Sequence, residues 1–188
     1  MSEQSHLLYA LSIWYQPSRT IQGLVGSGCG HRLAILVAAI FGFIQAIPFY
    51  LSEDSAGSEM FLIGVGFGLL GLFLFAWLLR NFGRWFGAQA AVRDVRVALG
   101  LSLMPWLALF GVLFWMRQSF GPEVLQSYYW LFFVGFVYGY VVILMSLSAA
   151  LRLSVLKTFF CLIVTCMVSL FPLTLMLQLL FPTLMPVQ

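Results

Sequence analysis

The chain reads as an all-α integral membrane protein, a bundle of five transmembrane helices, and three observations carry that reading. Of its 188 residues, 62% are hydrophobic and 8% are charged, against roughly 25% charged in ordinary soluble domains. So few charges could not cover a water-facing surface, and the mean hydropathy of +1.02 agrees. Five apolar runs, 33–51, 60–79, 97–116, 128–151 and 158–181, contain no Asp, Glu, Lys, Arg or His. Each approaches the length of about 20 residues that crosses a bilayer core as a helix. The runs do not alternate as barrel strands would, and a helix satisfies its own backbone polar groups in lipid.

Residues 1–32 form a separate N-terminal segment, and 33–188 form the five-span membrane domain. In "LLYALSIWYQPSRTI", Leu8, Leu11 and Tyr15 share one helical face, which predicts a short helix lying in the membrane interface. "GLVGSGCGHR" follows as a flexible link with Gly23, Gly26, Gly28 and Gly30. Such glycines can form a nest of backbone amides for an anion, but without a following lysine-serine pair the plainer reading is a linker. His31, beside Arg32, reads as a solvated flank of the first span. The opening residues lack the basic, apolar and cleavage order of a secretory signal, so the first span is expected to be retained.

The second run, "EMFLIGVGFGLLGLFLFAWLLRNFGR", contains Gly66, Gly68 and Gly71 in the G-x-G-x-x-G order of a dinucleotide fingerprint. That fingerprint needs a strand before it and a helix opening after it. Here the glycines lie inside an apolar run, where small residues let a neighbouring helix approach closely. Gly64 and Gly68 form a G-x-x-x-G pair, and Gly135 and Gly139 repeat it in the fourth run. Helix packing is therefore expected of them, not nucleotide binding.

The connections hold all nine basic residues. Arg19, Arg32, Arg80, Arg84, Arg93, Arg96, Arg152 and Lys157 fall on one side and Arg117 alone on the other. The positive-inside rule then places the N-terminus in the cytoplasm and the C-terminus across the membrane. The second loop, "RNFGRWFGAQAAVRDVRVALG", opposes four arginines with Asp94 only. Arg80, Arg84, Trp85, Arg93 and Arg96 are its candidate contacts with lipid or a partner. Each juxtamembrane base contributes about 1 kcal/mol of attraction to an anionic surface. The plainer reading is that these arginines fix topology and snorkel to phosphates.

Inside the runs, polar side chains are few. Gln45 lies three residues before Pro48, and Thr165, Ser169 and Gln178 dot the last run. Such groups are expected to bond to a neighbouring helix or to a carbonyl freed by a proline. Pro48, Pro105 and Pro172 each interrupt a run, and Gln45, Pro48 and Pro105 mark a candidate intramembrane groove. A small transporter, channel or lipid-translocating protein is the alternative that such a groove suggests. The absence of any carboxylate in the runs argues against an active transporter with a proton or sodium relay. No H-E-x-x-H or G-x-S-x-G occurs, and no His stands within a run to activate a serine. No enzymatic activity is expected, and no cofactor, metal or nucleic-acid partner. Cys29, Cys161 and Cys166 have no C-x-x-C spacing and read as small apolar fillers.

With these elements in place, the sequence resembles the Yip domain (Ypt/Rab-interacting-protein) family of five-span membrane proteins. "WYQPSRTIQGLV" resembles the proline- and arginine-bearing lead-in of the small bacterial members. "RNFGRWFGAQAAVRDVRVALGLSLMPWL" is similar to their basic second loop running into a span with an early proline. "VYGYVVILMSLSAALRLSVLKTFF" resembles their fourth span, with Gly139 and Tyr140 as structural positions, and its short basic link. The acidic-aromatic DLYGP-type motif of eukaryotic, Rab-linked relatives is not present. The resemblance implies a multi-pass protein of the bacterial inner membrane with a periplasmic C-terminus. The expected role is non-enzymatic, in membrane organisation, with the arginine loop meeting membrane lipids with anionic headgroups at the cytoplasmic face, a membrane-protein partner or a homo-oligomer.

Overall fold

A computed structural model of the protein describes residues 11–26, 30–50, 58–121 and 123–180. Among the described residues the regular structure is entirely helical. A 3-10 turn, Ser12–Trp14, precedes α1 (Pro17–Gly26), α2 (His31–Tyr50), α3 (Glu59–Trp85) and α4 (Val92–Ser102). Then come α5 (Met104–Phe120), the short α6 (Glu123–Ser127), α7 (Tyr129–Leu151) and α8 (Val155–Leu180). Among the described residues, four stretches are long and apolar enough to cross a membrane: His31–Pro48, Glu59–Trp85, Val92–Phe120 and Tyr129–Leu151. Val155–Leu170 is a shorter apolar stretch at the start of α8. The architecture is a multi-span helical bundle.

The closest pairing is between α2 and α3, and small residues allow it. A Cβ added at Gly42 would lie 2.2 Å from the Gly64 carbonyl oxygen. One at Gly68 would lie 2.4 Å from the Ala38 oxygen, and one at Gly64 would lie 2.7 Å from the Ala46 Cβ. The two backbones are in contact and run antiparallel, since Ala38 and Gly42 rise along α2 as Gly68 and Gly64 fall along α3. By contrast, Gly66 and Gly71 have open space where a Cβ would stand. The glycine string therefore sits in one unbroken helix, and only Gly68 of its three fingerprint positions meets a neighbour.

The run 97–116 is longer than expected and bent. It begins at Val92, so Arg93 and Arg96 lie on a helix, and it ends at Phe120. Pro105 lacks the N–H that would bond Leu101, and Leu103 closes a tighter turn onto the Gly100 carbonyl at 3.3 Å. A proline inside a helix produces this kind of break. Positions 80–84 are likewise helical, in the last turns of α3, so the second loop shrinks to 86–91. Gly87, at φ +93°, closes α3. Its N–H bonds the Arg84 carbonyl at 3.0 Å, and the Ala88 N–H bonds the Gly83 carbonyl at 2.9 Å. This is a Schellman cap, in which glycine takes the left-handed position without a Cβ penalty.

Buried side chains gather at one end of the bundle. Ile21 and Leu24 of α1, Leu79 of α3, Val95 and Leu101 of α4, and Leu147 and Leu151 of α7 are all sealed from solvent. Gly100 lies against Ala34 of α2, and Gly83 against Leu151. Cys161 of α8 fills this core and donates its thiol to the Leu79 carbonyl at 3.6 Å. The same end carries His31, Arg32, Arg80, Arg84, Arg93, Arg96, Arg152 and Lys157, and is called the basic end below. Toward the other end the first half of α7 is largely exposed: Tyr129, Phe133 and Phe136 face outward. In a bilayer such a surface is covered by acyl chains.

The N-terminal segment differs from the expected interfacial helix. Leu8 and the rest of 1–10 lie outside the described residues, and the helix that forms is Pro17–Gly26, with Pro17 at its first position. A proline costs little there because that N–H has no helical partner. Gly23 and Gly26 belong to this helix, not to a linker. Thr20, Ile21 and Leu24 face inward against α7 and α4. Along α7, the Tyr138 hydroxyl donates to the Trp14 carbonyl, and Ser18 Oγ donates to the Met145 carbonyl at 3.3 Å. The segment thus runs beside α7 and does not lie flat across the end of the bundle.

Candidate membrane-contact site

Helical spacing puts Phe73, Trp77, Arg80 and Arg84 along one side of α3, at steps of three and four residues. Trp77 and Trp85 are exposed, and the Phe82 ring meets Trp85 edge-on at 5.0 Å between centroids. Tryptophans at such a level suit the headgroup region, where an apolar ring and a polar N–H are both accommodated. Arg84 is exposed at the C-terminus of α3, where a cation also meets the negative end of the helix dipole. Arg80 is half-buried, and its Nη1 donates to Asn81 Oδ1 at 3.3 Å. Its Nε is buried without a hydrogen-bond partner.

The six-residue turn 86–91 folds α4 back beside α3 and α2. Arg93 and Arg96 are three residues apart, on one side of α4. Arg93 is exposed, whereas Arg96 is half-buried. Its guanidinium carbon sits 4.0 Å from the centroid of the Phe73 ring. Its Nε is buried and has no hydrogen-bond partner. His31, at the start of α2, stands within electrostatic reach of Arg96 and Arg93. The residue is half-exposed, as a flank of the span would be, but its Nδ1 is buried and lacks a hydrogen-bond partner.

The arginines of the second loop thus come together at one end, joined by His31 and by Phe73, which the sequence does not single out. Phe73 looked like one apolar residue among many. Only the packing of α4 onto α3 gives it a cation. For His31 a weak signal existed, since it directly precedes an apolar run and shares its segment with four glycines.

The intramembrane candidates are distributed differently. Gly64 and Gly68 form the α2 contact. Gly139 receives the Trp106 indole, with a built Cβ 2.7 Å from Nε1, and Gly135 receives Leu109. Tyr140 packs on the buried core. Gln45 and Pro48 are exposed on α2, while Pro105 is buried on α5. Phe41 and Phe110 meet at 5.9 Å and fix the register of α2 and α5. Gln45 lies four residues beyond that level and Pro105 five before it, an axial gap of about 13 Å at 1.5 Å per residue. The three do not frame a common recess.

Thr165 and Ser169 bond neither to a neighbour nor to a proline-freed carbonyl. Each hydroxyl donates to the carbonyl four residues earlier in α8, Cys161 and Thr165 respectively. The Gln178 side chain and Cys29 lie outside what is described. Cys166 is exposed. Among the described residues no three His, Cys, Asp or Glu side chains gather as a metal site.

Long apolar helices, a small-residue helix pairing and a one-sided basic rim define the class: a multi-pass α-helical membrane protein. Compared with family models, with curated proteins and with solved structures, the chain finds no match.

Proposed function

We propose that this is a Yip-type, five-span protein of the bacterial inner membrane, non-enzymatic, that acts in membrane organisation through contacts made at its basic end. The fifth span is α8, and the basic end faces the cytoplasm. The reading is carried by one observation: Arg80, Arg84, Arg93 and Arg96 gather beside the exposed Trp77 and Trp85 at a single end of the bundle. Cations there attract anionic headgroups, and the indoles anchor the level of the interface. A membrane-protein partner or a second copy of the chain would meet the same surface. A translocation groove is not favoured, because Gln45 lies about 13 Å and Pro48 about 18 Å along the axis from Pro105.

The test replaces Arg84 and Arg93 by Gln. Two bases at about 1 kcal/mol each predict roughly a 30-fold loss in retention of anionic vesicles by the chain held in neutral-lipid nanodiscs, at low salt. Crosslinks formed at this face in cells should weaken in parallel. Unchanged vesicle retention together with unchanged crosslinks would remove the reading.

A further inference from the structure

Arg96 is placed as a simple membrane-flanking arginine is not. Such side chains usually snorkel outward, away from the apolar layer. Here the guanidinium lies on Phe73, seven residues before Arg80 on α3 and so about 10 Å nearer mid-span. An arginine stays charged at any ordinary pH, and an aromatic face engages its plane without accepting its in-plane N–H groups. Its Nε and the Nδ1 of His31 are both buried without hydrogen-bond partners. Arg93 adds a further positive charge within reach of His31. Asp94 stands two residues from Arg96 on α4, turned about 200° away around the helix. The unpartnered atoms of His31 and Arg96 therefore call for an anion.

The adjoining surface indicates which anion. Ile63, Gly66, Leu70, Phe73 and Trp77 recur at three- and four-residue steps along α3, and every one is exposed. They form an outward apolar stripe that begins beside the Arg96 guanidinium and descends about 15 Å to Ile63. Gly66 leaves it open in the middle, with nothing within 4 Å of a built Cβ. That is a track for an acyl chain with a phosphate-binding group at its head.

We propose that Arg96 and His31, flanked by Arg93, seat the phosphate of one anionic phospholipid between α2, α3 and α4, with an acyl chain along the stripe from Phe73 to Ile63. The guanidinium fork matches two phosphate oxygens, and the imidazole supplies a third donor. This rests on the basic end being a lipid-contact surface, and it converts diffuse attraction into a site of defined stoichiometry.

The experiment is native mass spectrometry of the detergent-purified full chain, titrated with phosphatidylglycerol, phosphatidylcholine or inorganic phosphate. One phosphatidylglycerol per chain should be retained, with phosphatidylcholine held at least about tenfold more weakly. Millimolar phosphate should fail to displace it. Arg96→Gln should weaken retention about tenfold or more, and Arg96→Lys, which keeps the charge but loses the fork, severalfold. Arg117→Gln, at the opposite end of the bundle, should leave the single retained lipid in place. Equal retention by wild type and both Arg96 variants, equal retention of phosphatidylcholine, or displacement by phosphate would each overturn the seat. Loss of vesicle binding in the Arg84/Arg93 variant alongside an indifferent Arg96→Gln would remove the seat and leave the basic surface standing. The reverse pattern would do the opposite.

Discussion

Within the glycine string of α3, neighbouring substitutions should have opposite signs, and the sign should follow the packing partner. In Gly68→Ala the new methyl carbon would lie 2.4 Å from the Ala38 carbonyl oxygen. An unstrained contact between carbon and a carbonyl oxygen begins near about 3.3 Å. The obstacle is backbone, so it cannot swing aside, and α2 must move away by roughly 0.9 Å. A gap of about 0.5–1 Å forfeits a quarter to a half of the dispersion attraction along the seam. Overpacking of this kind costs about 1–3 kcal/mol. In Gly66→Ala the methyl meets nothing within 4 Å, and alanine gains about 0.5–1 kcal/mol over glycine inside a helix. The propensity gain is common to both substitutions, so the two variants should differ by the overpacking cost, about 1–3 kcal/mol. The assay is unfolding in mixed micelles with increasing dodecyl sulfate fraction, followed by far-ultraviolet circular dichroism. Equal midpoints for the two variants would refute the claim that Gly68 is the packing position and Gly66 an open one.

Two further predictions concern caps and topology. Gly87→Ala forces a Cβ into φ +93° and should destabilise by about 1 kcal/mol, whereas Arg152→Gly relieves the one positive-φ non-glycine among the described residues and should stabilise by about the same; both are read from the same unfolding midpoints. Single cysteines at Glu59 and Gly87, introduced into a cysteine-free background, should label from opposite faces of the membrane with an impermeant maleimide. Labelling from one face would break the antiparallel placement of the ends of α3.

Much of the bundle was legible in the sequence because bilayer helices are written by hydropathy alone. The runs at 33–51, 60–79 and 128–151 correspond to α2, α3 and α7 within a few residues at most ends, and the largest differences fall where charges are recruited into helices. Arg80, Arg84, Arg93 and Arg96 looked like loop residues because charge was taken to end a span. In fact the α3 helix continues to the Gly87 cap, and α4 starts again only six residues after α3 ends. Where the N-terminal segment packs is not legible in the sequence for a different reason. Its amphipathic pattern fits an interface and a protein groove equally well, and only the hydrogen bonds from Tyr138 and Ser18 select the groove beside α7.

The sequence by itself determined that this chain crosses a bilayer as helices and that its positive charge collects on one side. Both depend on the free energy of moving residues between water and hydrocarbon, which composition and order already specify. Tertiary structure alone decided that Gly68 meets Ala38 while Gly66 faces outward, and that Arg96 lies over the Phe73 ring within reach of His31. Lipid surrounds every span equally, so hydropathy cannot rank one helix pairing above another. Close backbone contact and the reach of individual side chains settle that choice, and both exist only once the helices have packed.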